Sequence, residues 1–277
     1  MNYHITPKEL KNMQSKEEIV IIDVRSHLQN PDLGESLYKK SHIPTAFYLH
    51  LKKDLSSEMK EHGGNHPLPH INELAKKLGE MGVNHEIKVV FYDEDNGMYA
   101  ARAWFLLYYM GHENSYVLDG GFAAWTKAGY DVTDEIPTNR STVFQPRLKT
   151  DIIISMENVR ERDIKKKVLI DSRTKERYLG KKEPLYEKAG HIPGAKHYFW
   201  QDVLDEQGNY KEKEQLKAHF AHLKEADEII VSCGSGISAC PNFLALKMAG
   251  FNNVKLYPGS FSDWISYPEN ELETKEE

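Results

Sequence analysis

Glu228-Ile229-Ile230-Val231-Ser232-Cys233-Gly234-Ser235-Gly236-Ile237-Ser238-Ala239-Cys240-Pro241 passes from one backbone periodicity to another within a single short stretch. Ile229, Ile230 and Val231 form a β-branched apolar run that reads as a buried strand of a parallel sheet, and Asn242 to Ala249 reads as helix. Pro241 has no N–H and fits only the first turn of a helix, so that helix is expected to begin near Ser238, with its unpaired amides aimed back at Cys233. Gly234 and Gly236 allow the intervening loop to curl until successive N–H groups converge, which makes an anion-binding nest ending on a helix dipole. A thiol at that rim is expected to ionise with a pKa in the roughly 3.5 to 7.5 range instead of about 8.5, giving a nucleophilic thiolate. A free cysteine is ordinarily a buried apolar filler, and Cys240, inside the helix, is read that way. For Cys233 the strand, the glycines and the helix argue for chemistry.

Outward from this stretch the chain repeats itself. Ile19-Val20-Ile21-Ile22-Asp23-Val24-Arg25 matches Val168-Leu169-Ile170-Asp171-Ser172-Arg173, and Ser41-His42-Ile43-Pro44 matches Gly190-His191-Ile192-Pro193. Lys88-Val89-Val90-Phe91-Tyr92-Asp93 matches the strand before Cys233, and Asp119-Gly120-Gly121-Phe122 through Trp125 matches Pro258-Gly259-Ser260-Phe261 through Trp264. The paired landmarks stand 148 (Asp23 to Asp171), 149 (His42 to His191), 140 (Asp93 to Cys233) and 139 (Trp125 to Trp264) residues apart. Four landmarks in one order at nearly constant spacing predict a duplicated domain. Each half alternates strand and helix, so the expected fold class is α/β: two tandem domains, each a parallel sheet flanked by helices. The expected division is residues 1–132 as a domain without the thiol, 133–150 as a linker rich in turn formers, and 151–277 as the domain with it; the acidic tail from Pro268 to Glu277 is expected to fray.

The bulk composition narrows the classes of function. The 277 residues are 40% hydrophobic and 28% charged with a formal net charge of -6, an ordinary globular mixture long enough for two domains. No basic patch dominates, which argues against nucleic acid and anionic membranes as partners. No apolar run approaches the ~18 residues of a membrane span, and Met1 to Lys8 carries no apolar signal core, so the expected location is cytoplasmic. Two cysteines, one of them in a glycine loop, argue against a structural disulfide.

These residues resemble the tandem-domain rhodaneses, the thiosulfate and 3-mercaptopyruvate sulfurtransferases, over nearly the whole chain. The resemblance implies an inactive N-terminal rhodanese-like domain, matching Asp93, and a catalytic C-terminal one, matching Cys233. It implies a double displacement in which a sulfane sulfur passes from a small donor to a Cys233 persulfide and then to a thiol, thioredoxin or cyanide, with no cofactor and no metal. The loop amides of Gly234, Ser235, Gly236, Ile237 and Ser238 would hold the anionic outer sulfur. Cys233-Gly234-Ser235-Gly236 looks like the mercaptopyruvate branch, whereas Arg177-Tyr178-Leu179-Gly180 looks like the thiosulfate branch. Mercaptopyruvate enzymes usually clamp the substrate carboxylate with two arginines nine positions apart; here Arg177 fills the first place and Tyr186 the second, with Lys181, Lys182 or Lys188 as possible substitutes. The expected donor is 3-mercaptopyruvate, with a thiosulfate-preferring enzyme or a non-catalytic persulfide carrier as alternatives. The resemblance also implies that His42 faces the cleft and shares in proton transfer.

Other candidates weaken against ordinary structural roles. His42 and His191 occur in both halves although only one half has the thiol, which favours packing of the His-Ile-Pro turn, and the same logic makes Asp23–Arg25 and Asp171–Arg173 structural braces. A cysteine-dependent phosphatase would need an arginine six positions after its cysteine, where this chain has Ala239. His62, His66 and His70 recur every four residues, but Gly63, Gly64, Pro67 and Pro69 forbid the helix that would turn that spacing into a metal site.

Overall fold

The computed structural model describes residues 3–138 and 141–275. It divides into two compact units, one of Met1–Ser57, Leu68–Lys149 and Leu204–Tyr210, the other of Glu58–Pro67, Thr150–Val203 and Lys211–Glu277. The main division falls after Lys149, and two short segments are exchanged across it, 58–67 into the second unit and 204–210 into the first. That exchange has no local signature in the sequence.

In the first unit the strands are β1 (His4–Ile5), β2 (Ile19–Asp23), β3 (Phe47–Tyr48), β4 (Lys88–Tyr92) and β5 (Ser115–Leu118), all parallel, in the spatial order β1-β5-β4-β2-β3. The helices α1 (Pro7–Lys16), α2 (Leu33–Lys40), α3 (Ile71–Glu80), α4 (Met98–Tyr109) and α5 (Gly121–Lys127) make the crossovers. α1 starts where the sequence provides a capping box, Thr6 accepting from the Glu9 amide while Glu9 accepts from the Thr6 amide, with Pro7 in the first turn. The core gathers Leu10, Ile21, Val90, Tyr92 and Trp125.

The second unit repeats the pattern with β6 (Lys167–Asp171), β7 (Ala195–His197), β8 (Glu228–Ser232) and β9 (Val254–Leu256), parallel in the order β7-β6-β8-β9. Its helices are α6 (Met156–Arg160), α7 (Lys175–Tyr178), α8 (Lys213–His219), α9 (Ala239–Ala249) and α10 (Ser260–Trp264). A single parallel bridge from Ile153 to Leu256 extends this sheet along β9, as β1 extends the first along β5. β8 is buried at every residue, as its continuous β-branched run requires in a sheet covered on both faces. α9 is apolar nearly all round and correspondingly buried, with Lys247 at its outer side, and it closes on Gly250 in the left-handed conformation.

The stretch read as a linker is held along the first unit, through Thr142 N–H to the Gly79 carbonyl (2.9 Å), Arg147 N–H to Met110 (2.8 Å) and Lys149 N–H to Tyr109 (2.9 Å). Asn139 and Arg140 within it lie outside the described residues. The expectation that the tail frays is corrected. The tail is tied as far as Glu273, which exchanges both backbone bonds with His191 at 2.8 and 2.9 Å, while the Trp264 indole donates to the Glu271 carbonyl. Glu276 and Glu277 lie outside the described residues.

Candidate active site

β8 ends at Ser232, so Cys233 stands at the carboxyl end of a central strand, where open α/β sheets bind ligands. Ser238 precedes α9, whose first residue is Ala239, close to the start that Pro241 demands. The loop between is held open by its neighbours. The Cys233 carbonyl accepts from Phe261 N–H (3.0 Å) and the Gly234 carbonyl from Ser262 N–H (2.8 Å), which ties the loop to α10. Gly236 N–H points at the Cys233 sulfur at 3.1 Å. Gly236 has φ +78°, and a β-carbon there would stand 2.1 Å from the Pro258 carbonyl oxygen, so this position admits only glycine. Cys240 donates its S–H to the Gly236 carbonyl at 3.3 Å from inside the helix, consistent with a packing role.

Ser260 braces Cys233 from the other side. Its hydroxyl accepts from Cys233 N–H (3.0 Å), donates to the Tyr257 carbonyl (2.8 Å) and lies 4.0 Å from the sulfur. Ser260 holds φ +53°, a conformation that costs a side chain about 1 kcal/mol or more. That strain persists at a residue bonded to Cys233.

The segment 58–67 supplies a residue that sequence reasoning missed as a participant. His66 Nδ1 lies 2.8 Å from the Ser235 hydroxyl, within the cysteine loop itself. The segment is pinned to α10 and the residues after it: Gly63 N–H donates to Asp263 (2.7 Å), Asn65 N–H to the Ser262 hydroxyl (3.0 Å), and His62 stacks on Tyr267 with ring centroids 4.0 Å apart. His62 and His66 thus take separate partners, and His70 precedes α3 in the first unit. The available signal was asymmetry. His42 has an echo in His191, whereas the place 144 residues after His66 is Tyr210.

The cleft-facing role expected of His42 is corrected. His42 is fully buried, Nδ1 lies 2.7 Å from the Tyr38 carbonyl and Nε2 3.1 Å from the Glu135 carbonyl, and its backbone pairs with Thr133. Both nitrogens are committed to holding the His-Ile-Pro turn, as in His191, whose Nδ1 meets the Tyr178 carbonyl at 2.7 Å. The Asp-Arg braces take the structural form expected: Arg25 Nε donates to Asp23 (2.9 Å), and Arg173 Nη2 to Asp171 (2.6 Å) and to the Gly190 carbonyl (2.7 Å).

Arg177 and Tyr186 meet beside the loop. A β-carbon at Gly234 would stand 2.9 Å from the Tyr186 hydroxyl and 3.4 Å from Arg177 Nη2. The Arg177 guanidinium lies 5.4 Å from the centre of the Tyr186 ring. Burial, and then the adjacent Cys233, push the Tyr186 phenol above its ordinary value, so it stays a neutral donor. Lys188 is removed from the list of substitute clamps, since its ammonium donates to the Ile265 carbonyl, and Lys181 and Lys182 are exposed. Among the described residues one cluster has metal-ligand spacing, Asp32, Glu35 and His50 in the first unit. Lys39 (2.6 Å from Glu35) and Lys53 already neutralise its carboxylates, and His50 Nδ1 accepts from two backbone amides.

A cysteine sulfur facing a loop amide, at the end of a parallel-sheet strand in one half of a duplicated α/β chain, is an arrangement suited to thiol-dependent group transfer. The rhodanese-like domain model matches residues 6–128 and again 155–267, and the chain belongs to that family. A probable 3-mercaptopyruvate sulfurtransferase of Pseudomonas aeruginosa is 37% identical over 98% of this chain and 97% of its own length. A putative thiosulfate sulfurtransferase, SseB, of Mycobacterium tuberculosis is 34% identical over 95% of this chain and 94% of its own. The solved 3-mercaptopyruvate sulfurtransferase SseA of Escherichia coli superposes with a TM-score of 0.81 at 29% identity, over 95% of this chain and all of that one.

Proposed function

We propose that the protein is a cytoplasmic sulfurtransferase that moves sulfur from 3-mercaptopyruvate through a Cys233 persulfide to a thiol, thioredoxin or cyanide. The carrying observation is the Cys233 sulfur facing the Gly236 amide at 3.1 Å, in a loop whose Ser235 meets His66 at 2.8 Å. The Cys233 thiolate attacks the donor sulfur; an S–S bond forms, the C–S bond breaks, and its electron pair leaves as the enolate of pyruvate. The proton given up by the donor thiol is the one the enolate carbon takes, so the net products are pyruvate and a persulfide anion. Ser235 and His66 are the groups placed to relay that proton. A thiophile then attacks the outer sulfur, breaks the S–S bond and returns the Cys233 thiolate.

Arg177 is the group that meets the donor carboxylate. If it supplies mainly uniform binding, Arg177→Ala raises KM more than it lowers kcat. The test is turnover of each donor with cyanide, with mass spectrometry for one added sulfur on Cys233. Retention of turnover in Cys233→Ser sinks the proposal. Thiosulfate is the second reading, supported by the Arg177-Tyr178-Leu179-Gly180 string and by the name of the Mycobacterium relative. A carrier would accept sulfur from a desulfurase yet show almost no steady turnover with either small donor.

A further inference from the structure

We infer that Glu183 sets the charge of the donor Cys233 accepts, by cancelling the guanidinium charges beside the cysteine loop and so disfavouring dianionic donors. The inference rests on the sulfurtransferase reading above.

The Glu183 carboxylate is buried, with 2% of its side chain exposed. One oxygen accepts from Arg177 Nε (3.1 Å) and Nη2 (2.9 Å), and the other from Arg177 Nε (3.0 Å) and Arg173 Nη1 (3.2 Å). Arg173 is held in turn by Asp171 at 2.6 Å and lies over the Phe261 ring at 3.9 Å. Two guanidiniums therefore face two carboxylates, and their charges sum to zero. Burial works against the charge on Arg173, but Asp171, Glu183 and Cys233 together hold its pKa above the ordinary value, so Arg173 keeps its charge in the network.

The cancelled charge sits at the reaction site, because Arg177 Nη2 is 3.4 Å from where a β-carbon on Gly234 would stand. With Nε and one Nη2 proton given to Glu183, Arg177 cannot offer the Nε and Nη2 edge of its fork to a ligand. Tyr186, which shares the space over Gly234, adds a hydroxyl and no charge. A donor with one carboxylate and a carbonyl needs one cationic contact and neutral donors, which this arrangement provides. A compact dianion such as thiosulfate would approach a thiolate with no net positive charge to meet it. Nothing in the single sequence marks Glu183, since a glutamate between Lys182 and Pro184 reads as a solvated turn.

The experiment compares the full-length protein with Glu183→Gln in two assays. The first alkylates Cys233 with iodoacetate and with iodoacetamide and takes the ratio of the two rates, which reports charge at the sulfur without any turnover. Glu183→Gln is expected to raise the iodoacetate-to-iodoacetamide ratio about tenfold, since freeing one buried cation is worth about one decade at a neighbouring anion. A general loosening of the site would move both rates together and leave the ratio unchanged. The second assay is kcat/KM for thiosulfate and for 3-mercaptopyruvate, whose ratio is expected to shift toward thiosulfate by a similar factor. If neither donor turns over in the wild type while the alkylation ratio rises, the donor reading fails and the charge assignment stands. An alkylation ratio within twofold of wild type overturns the inference. Should Glu183→Gln not fold, Tyr186→Arg adds a cation on a half-buried side chain outside the paired network. It must raise the same ratio, and failure to do so also overturns the assignment.

Discussion

The loop after β4 and the loop after β8 are the same turn put to different uses. In the first unit Asp93 follows the strand, and its carboxylate accepts from the amides of Gly97 (2.8 Å), Tyr99 (2.9 Å) and Ala100 (3.2 Å). In the second Cys233 follows the strand, and its sulfur receives the Gly236 amide. Each loop turns backbone N–H toward the side chain that follows the strand, three groups at Asp93 and one, from Gly236, at Cys233. In one the side chain is a carboxylate that fills the nest, and in the other it is a sulfur that meets a single amide. The bracing position differs in step: Gly121 and Ser260 share a left-handed backbone, φ +54° and +53°. A β-carbon on Gly121 would stand 2.5 Å from the Asp93 carbonyl oxygen, whereas the Ser260 hydroxyl reaches the Cys233 amide. Tyr210 packs against Gly97 in the first unit, while His66 bonds Ser235 in the second. The fold supplies the same strand-end loop twice and surrounds it with different groups.

Exchanging the nucleophiles breaks the comparison most severely. Cys233→Ser is expected to lower turnover by at least about 10³-fold, and adding Asp93→Cys to it is expected to restore nothing, because the first loop lacks the Ser235–His66 pair. Recovery of cyanide-dependent turnover in that double variant would show that the cradle alone suffices.

The next effect is thermodynamic. Burial raises the Asp93 pKa from 3.8 to about 6, so the folded protein holds this proton at a pH where the unfolded chain has lost it. The stability it contributes is fully present below about pH 4 and is lost as pH rises through 6, a fall of about 3 kcal/mol in unfolding free energy. Denaturant titrations of wild type and Asp93→Asn from pH 3 to 8 should show the difference between them changing by that amount, and a constant difference would refute it.

Ser235→Ala should lower kcat with 3-mercaptopyruvate about 10²-fold while the protein melts near the wild-type temperature, the size expected for losing a positioned proton relay. His66→Ala should do no further harm on that background, and additive losses measured by steady-state kinetics would separate the two residues. The smallest effect is at the brace. Ser260→Gly relieves the left-handed backbone but removes the hydroxyl from Cys233 N–H, so stability should change by less than about 1 kcal/mol while kcat falls less than about tenfold. A larger loss of activity would make Ser260 a direct contributor to the sulfur chemistry.

Local physics made much of this protein legible from its sequence alone. The β-branched run Ile229–Val231, the paired glycines at 234 and 236 and the placement of Pro241 are decisions taken within a few residues, and they led to Cys233 at a strand end before a helix. Duplication added a second local test, since residues present in both halves, such as His42 and His191, proved to be committed to their turns. Tertiary structure alone decided the partners of the loop. His66 and Ser235 are 169 residues apart, and only the docking of segment 58–67 into the second unit brings them together. Glu183 is six residues from Arg177, yet no periodicity carries it inward; burial of its carboxylate becomes tolerable once two guanidiniums surround it. A side chain's turn and strand preferences are encoded by its immediate neighbours, whereas its charge partners are chosen by the packing of distant segments, and a single sequence records that choice nowhere.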